Sequence, residues 1–301
     1  MFRRRRSRAA MAPLASTAAI PISIRTPTPP SCCMTPFDQH LAQWSLIPDG
    51  APIHTHSSDL LPVRYRDTPA MLKIPREPEE RYGAAMMRWW DGDGAARVLA
   101  WDDDALLLER ASGARSLKHM ARNGRDDDAT RILCTTAARL HAPRAAPPPP
   151  HLLGLQPWFA ELEPYANSHG GALALAWSAA CELLAEPREI VPLHGDLHHE
   201  NVLDAGARGW VAIDPKRLIG ERGFDFACLF TDPDEETALA PGRLLRRVDL
   251  VAEAARLERR RLLQWIVAFT GLSAAWYLMD EESPDKEFAA IELAHAELLR
   301  G

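Results

Sequence analysis

Asp196 and Asn201 stand five residues apart in His194-Gly195-Asp196-Leu197-His198-His199-Glu200-Asn201. Thirteen residues after Asn201, the short apolar run Trp210-Val211-Ala212-Ile213 ends in Asp214-Pro215. No other feature constrains the fold of this chain as much. A polar loop carrying an acid and an amide must be followed by a strand that returns a second acid to it, with Asp204-Ala205-Gly206 as the turn. Such a hairpin places a carboxylate base beside two oxygen ligands for a hard cation. Those are the parts needed to transfer a phosphoryl group to an alcohol. Asp196 is positioned to take the hydroxyl proton, and Asn201 and Asp214 to hold Mg²⁺.

The spacing of Asp196 and Asn201 equals that of the protein-kinase catalytic loop. The pair alone is a weak signal, but with a strand-borne Asp214 it is specific. A zinc hydrolase is the rival reading, since His194, His198 and His199 cluster with Asp196 and Glu200. Zinc ligands are normally mounted on a helix or strand. Here Gly195 follows the first histidine, and the segment lies between Pro192 and an apolar run, which reads as a loop.

The cation for the phosphates is expected from the β-rich half. In Ala70-Met71-Leu72-Lys73-Ile74, alternation puts Met71 and Lys73 on one face, and Leu72 and Ile74 on the other. Lys73 is the candidate, with Glu80 from the next helix as its acid and Glu79 behind it. Such a pair at ~4 Å gains about 4 kcal/mol at an effective dielectric of 20, before desolvation. No glycine-rich loop precedes the first strand. His54-Thr55-His56-Ser57-Ser58 stands there instead, and Ser57 and Ser58 are the candidates for phosphate contact. Leu107-Leu108-Glu109-Arg110-Ala111 joins the two halves, with Glu109 and Ala111 offering main-chain hydrogen bonds to a purine.

The rest of the chain supports two lobes. Leu60–Arg64 and Ala70–Ile74 flank Arg66-Asp67-Thr68-Pro69 and predict a hairpin. A helix starting in the acidic Glu77–Glu80 stretch is expected to run through Trp89-Trp90 to Asp91-Gly92-Asp93-Gly94. Ala96–Ala100 and Ala105–Glu109 predict a second strand pair. After Arg110 helical periodicity dominates. Ala129, Ile132, Leu133, Thr136, Ala137 and Leu140 form one face behind Asp126–Asp128, and further stripes run through Leu173, Trp177, Ala180, Leu184 and through Leu262, Ile266, Phe269, Ser273, Trp276. Ala145–Pro150 predicts a stiff exposed spacer, and Ser283-Pro284 the cap and first residue of a last helix. The fold class is therefore α+β. The expected division is an N-terminal extension over 1–33 that is disordered, a nucleotide-binding lobe over 34–110, and a catalytic and substrate-binding lobe over 111–301.

Charge and cysteines narrow the partners. Six of the 35 Lys and Arg residues, and none of the 41 acids, lie in residues 1–33. The rest of the chain is therefore more acidic than the overall net charge of −6. An acidic body disfavours nucleic acid and suits a cationic small molecule. Five scattered cysteines, with no C-x-x-C pair, fit a reducing cytoplasm; Cys181 and Cys228 read as small buried hydrophobes. No run near 18 apolar residues is apparent, so no membrane span is expected. A monomer or weak dimer is anticipated.

With these motifs assembled, the chain resembles the aminoglycoside and hydroxyurea antibiotic-resistance kinases, the group that includes streptomycin 6-phosphotransferases. The resemblance rests on Leu193–Asn201, Gly209-Trp210 to Pro215, Leu218-Ile219-Gly220-Glu221 to Gly223-Phe224, Phe230-Thr231-Asp232-Pro233 and Gly271–Trp276. Upstream it includes Ser57-Ser58 and Pro69–Lys73. It covers the chain from about Phe37 onward. It implies a protein-kinase-like two-lobed fold, ATP and Mg²⁺ as cosubstrate and cofactor, and phosphorylation of an antibiotic hydroxyl with Asp196 as base. By position, Asp225 resembles the buried Asp that steadies the catalytic loop, with His194 also supporting it. Around Gly83, where the family pattern leads one to expect the helix acid, this sequence departs. Asp232, Asp234, Trp276 and Glu281 are candidates for contacting a cationic substrate. The alternative is a non-catalytic kinase-like protein that sequesters a small molecule. Such a protein would have lost the base or a metal ligand, and Asp196, Asn201, Asp214 and Lys73 are all present.

Overall fold

In the computed structural model, residues 35–300 are described; the extension expected over 1–33 lies outside them. The N-terminal half is built on one antiparallel sheet. Its strands are β1 (Ile47–Pro48), β2 (Ile53–His54), β3 (Ser58–Tyr65), β4 (Thr68–Pro75), β5 (Val98–Trp101) and β6 (Leu106–Glu109). They run in the order β1-β3-β4-β6-β5, with β2 alongside β3. The predicted hairpin is β3–β4, in a register that opposes Leu60 to Lys73. Its turn is shorter than expected. Only Arg66 and Asp67 turn, both at positive φ (48° and 65°), and Thr68-Pro69 already belongs to the strand. That primed geometry matches the right-handed twist of the flanking strands.

The alternation in β4 sorts residues as the sequence predicts. Leu61, Val63, Ala70, Leu72 and Leu107 form a small core with Phe37 and Leu46, which flank helix α1 (Asp38–Gln43). On the opposite face, Leu106 and Leu108 join the large core of the helical half. Helix α2 (Pro78–Trp90) has proline in its first turn and ends at Asp91 in the left-handed region (φ 46°, ψ 43°). Its inward residues Met86, Met87 and Trp90 pack into the same large core.

The C-terminal half begins with α3 (Leu117–Arg122) and α4 (Asp126–Leu140), whose predicted face is buried apart from the half-buried Ile132. It continues through β7 (Leu153–Gly154), α5 (Leu155–Phe159), α6 (Glu163–His169) and α7 (Gly171–Ala185) to β8 (Ile190–Leu193), β9 (Val202–Asp204), β10 (Trp210–Ala212) and β11 (Leu218–Glu221). β9 and β10 form the antiparallel hairpin anticipated between Asn201 and Asp214, and β11 lies between β7 and β8. Helices α8 (Gly223–Ala227), α9 (Glu235–Ala238), α10 (Arg243–Ala255), α11 (Arg259–Met279) and α12 (Asp285–Leu298) complete the chain.

Three expectations need correction. From Leu262 to Trp276 every residue of α11 except Gln264 is buried, so the stripe is one side of a helix enclosed all round by α7, α8, α10 and α12. Among the described residues it is the one helix long and apolar enough to cross a membrane, and most of it lies inside the core. Helix α12 starts one residue later than predicted. Pro284 takes the cap position with no side-chain cap bond, and Asp285 and Glu287 load the first turn with the favourable charge. Finally, Cys181 is exposed, because the buried face of α7 is Leu173, Ala176, Ala180 and Leu183. Cys228 is buried as expected.

Candidate active site

The loop after β8 is held from beneath by Asp225. This carboxylate is fully buried and accepts three hydrogen bonds: from the His194 N–H (2.8 Å), the Gly195 N–H (2.7 Å) and His141 Nε2 (2.7 Å). Burial alone would raise its pKa. The His141 hydrogen bond and charge outweigh that and hold it below the ordinary carboxylate range. The His194 ring donates from Nε2 to the Ile213 carbonyl (2.8 Å) and accepts the Asp196 N–H at Nδ1 (3.2 Å). It also stacks on Trp90, with centroids 6.2 Å apart. Burial lowers its pKa, consistent with this neutral tautomer. Both ring nitrogens of His194 are thus committed within the loop. No group of three or more His, Cys, Asp or Glu side chains placed to hold a metal occurs among the described residues.

Asn201 closes the loop, its amide Nδ2 donating to the Asp196 carbonyl oxygen (2.8 Å), which leaves its Oδ1 as an acceptor. The hairpin then does what the spacing requires: Val202 pairs with Ala212, and the Ile213 N–H donates to the Asn201 carbonyl (2.9 Å). Asp214 follows at φ 57°. An amide oxygen and a carboxylate at the mouth of one hairpin are a donor set of the hard kind that suits Mg²⁺.

Lys73 reaches across to this group. It is buried in β4, and its ammonium bonds Glu80 (2.5 Å) and Asp214 (2.6 Å). Burial would strip its proton, but the Asp214 and Glu80 charges outweigh that and hold the pKa above the ordinary lysine value. The same Lys73 charge holds Asp214 below its usual range against its own burial. The acid that the departure at Gly83 left open is therefore Glu80, seven residues after the lysine. Lys216, two residues past Asp214, also approaches Glu80 (3.8 Å). Gly83 has a different use: a Cβ there would lie 2.5 Å from the Pro215 carbonyl oxygen. Gly83→Ala is expected to push α2 off the Asp214 loop and to weaken ATP binding roughly tenfold, about 1.4 kcal/mol. Titration with a nonhydrolysable ATP analogue measures it.

The remaining sequence candidates occupy distinct places. Ser57 is half-buried in the turn before β3. Ser58 begins β3 with its hydroxyl buried and without a partner among the described residues. Glu109 ends β6, accepting the Arg97 N–H (2.9 Å) and pairing with Arg208, and Ala111 follows at the start of the link to α3. Asp232 is buried; its carbonyl accepts from Arg243 (3.0 Å) and Arg247 (3.4 Å). Asp234 caps α9 through the Thr237 N–H and pairs with Arg122 (2.8 Å). Trp276 is buried against Trp158, its indole N–H donating to Glu161 (2.6 Å). Glu281 is exposed just beyond α11. His198 lies 3.9 Å from Asp196.

His199 is buried with neither ring nitrogen partnered among the described residues. Burial, and next the Arg247 charge, pull its pKa down to about 3. An unfolded histidine titrates near 6.5. Between these values the unfolded chain takes up a proton that the fold excludes, so stability is full above about pH 6.5 and falls as pH drops, by up to ~1.4 kcal/mol per unit. His194, lowered in the same direction, adds to this. Urea midpoints between pH 7 and 4.5 should show the slope, and His199→Leu should reduce it.

Residues 43–281 match the family described as aminoglycoside/hydroxyurea antibiotic resistance kinase. The chain belongs to that family. It is therefore a kinase, a phosphotransferase with an alcohol group as acceptor. The chain is 55% identical over 259 residues to the streptomycin 3''-kinase of Klebsiella pneumoniae, covering 84% of this chain and 96% of that one. It is 35% identical over 254 residues to the streptomycin 6-kinase of Streptomyces griseus (79% and 80% covered). To the hydroxyurea phosphotransferase of Kitasatospora aureofaciens it is 33% identical over 271 residues (85% and 76%). Among solved structures, a thermostable aminoglycoside phosphotransferase APH(4)-Ia bound to AMP-PNP and hygromycin B superposes with a TM-score of 0.61 at 10% identity, covering 88% of this chain and 99% of that one. A choline/ethanolamine kinase family protein from Mesorhizobium loti gives 0.60 at 17% identity, covering 87% and 93%. At those identities the structures speak to the fold alone, and the fold is kinase-like.

Proposed function

We propose that this resistance kinase phosphorylates streptomycin at its 3'' hydroxyl, with ATP as donor and Mg²⁺ as cofactor, in the cytoplasm. The observation that carries this acceptor is the gap in identity: 55% to the streptomycin 3''-kinase, against 33–35% to the streptomycin 6-kinases and the hydroxyurea phosphotransferase. Asp196 orients the acceptor hydroxyl and takes its proton. Lys73, steadied by Glu80, holds the phosphates, while Ser57 lies in the turn that covers them and Ser58 begins the strand that follows it. Glu109 and Ala111 present main-chain groups to the purine. Asn201 and Asp214 would hold Mg²⁺, which supplies charge neutralisation on the phosphates when bound. Lys73 occupies Asp214 in this structure, so it must exchange that carboxylate for phosphate oxygens. Glu80 keeps Lys216 nearby while this happens. Asp232, Asp234, Trp276 and Glu281 remain the candidates for the cationic antibiotic, with Asp234 and Trp276 each already engaged in a structural bond.

Incubation with ATP, Mg²⁺ and streptomycin, followed by mass spectrometry and phosphorus–proton correlation NMR, tests the reading. One added phosphoryl group on the 3'' oxygen is expected. Modification at the 6 position, or of hydroxyurea alone, would reassign the acceptor, and ATP left untouched with every acceptor would favour a sequestering protein.

A further inference from the structure

The turn Thr55–Ser57, between β2 and β3, stands where a kinase fold needs a rigid cover over the terminal phosphates of the nucleotide. It ends three residues before Leu60, which pairs with Lys73. Such covers are commonly glycine-rich, because glycine lets the main chain turn tightly and approach a ligand closely. Here no glycine occurs between Gly50 and Gly83, and no turn residue takes a positive φ. The turn must be fixed by other means.

Arg76, three residues beyond Lys73, bonds both ends of it. Its N–H donates to the Ser57 carbonyl (2.8 Å), and its Nη1 donates to the Thr55 carbonyl (3.1 Å). Its Nε and Nη2 form a two-pronged pair with Asp59, the Nε contact at 2.8 Å. Its Nη2 also lies 3.3 Å from His54 Nδ1, and His54 itself bonds Asp59. Within the turn, the Thr55 hydroxyl donates to the Ser58 carbonyl (2.8 Å) and accepts the Ser58 N–H (3.0 Å). One guanidinium thus ties the end of β2, the turn and the start of β3 to the end of the strand that carries Lys73. The fork geometry is specific to arginine; a lysine could satisfy one contact but not the set.

We infer that Arg76, acting through Asp59, is a positioning residue for the nucleotide: it holds a glycine-free turn in place over the β- and γ-phosphates. The inference rests on the reading of this cleft as the ATP site, and its test separates the two. Binding of AMP-PNP and of AMP is measured by calorimetry on the full chain for wild type, Arg76→Gln, Arg76→Lys, Asp59→Asn and the double variant, with thermal unfolding as a control for folding. Arg76→Gln should weaken AMP-PNP roughly tenfold and leave AMP unchanged, because AMP lacks the phosphates under the turn. Asp59→Asn should reproduce that loss, the double variant should add little to it, and Arg76→Lys should fall between. KM for ATP should rise with kcat at saturating ATP preserved.

Equal loss for AMP and AMP-PNP, or no loss for either, overturns the inference. So does an Asp59→Asn variant that binds AMP-PNP as well as wild type, since Arg76 would then touch phosphate directly and not through the turn. If wild type binds neither nucleotide, the ATP site itself is misplaced and the inference falls with it.

Discussion

Asp196→Asn is expected to lower kcat by roughly 10²–10⁴-fold, with the affinities for nucleotide and acceptor left at wild-type order. The substitution keeps the shape of the side chain but removes its capacity to take a proton. It also leaves the main-chain anchors of the loop in place. Asn201 binds the main-chain oxygen of Asp196, not its carboxylate, and the loop is anchored through His194 and Gly195. A fall in kcat alone is the signature of an interaction made in the transition state. Steady-state ADP release at saturating ATP and antibiotic measures it. Activity within tenfold of wild type would show that another group serves as base, and His198 at 3.9 Å would be the first to examine.

The second large effect falls on stability. Asp225→Ala removes the acceptor of three hydrogen bonds at a site with no solvent to replace it, leaving two main-chain N–H groups and His141 unsatisfied. Leaving buried donors without an acceptor costs about 1–3 kcal/mol each, and a loss of several kcal/mol corresponds in a chain of this size to roughly 10 °C in Tm. Activity should fall as well, because the loop that presents Asp196 loses its anchor. The lowered pKa gives this contribution its pH dependence: the Asp225 stabilisation is complete above the ordinary carboxylate value near 4 and is lost as pH falls below it. Calorimetric scans of wild type and Asp225→Ala at pH 7 should therefore differ widely and converge in acid. Equal melting temperatures at pH 7 would refute the anchoring role.

What could be read from the sequence follows from chain distance. The Asn201–Asp214 hairpin closes within thirteen residues and announces itself by spacing and apolar alternation. Lys73 and Glu80 are seven apart, one at the end of a strand and the other in the first turns of the next helix. By contrast, His141 meets Asp225 across 84 residues, and Trp90 stacks on His194 across more than a hundred. Neither pairing leaves a periodic trace, since a histidine at a helix C-terminus and a tryptophan on a core face each have ordinary reasons to be there. Lys216 had a usable signal, a second lysine two residues past Asp214, but strand alternation points to Lys73 first. Arg76 and Asp59 lay beside the one stretch where the expected glycines were missing, and that absence was the clue. The acidic run after Asp232 shows the opposite difficulty. Asp234 spends its carboxylate on the cap of α9 and on Arg122, a local use that composition alone cannot distinguish from a cation-binding wall.

Helix α2 has one more implication. It follows the sheet in sequence and supplies Glu80 to Lys73, yet Met86, Met87 and Trp90 belong to the core of the helical half, and the Trp90 indole N–H donates to the Leu140 carbonyl (3.1 Å). The two cores are therefore interleaved along the chain: α2 gives its apolar side to the large core, while Leu107 of β6, later in sequence, belongs to the small one. A fragment cut at the apparent linker near Arg110 would carry away a helix whose apolar side has its partners in the piece left behind. The halves of this enzyme are not interchangeable cassettes, and a crossover near Glu77 would fare no better, since it would part Leu107 from Leu61, Val63, Ala70 and Leu72 in the small core.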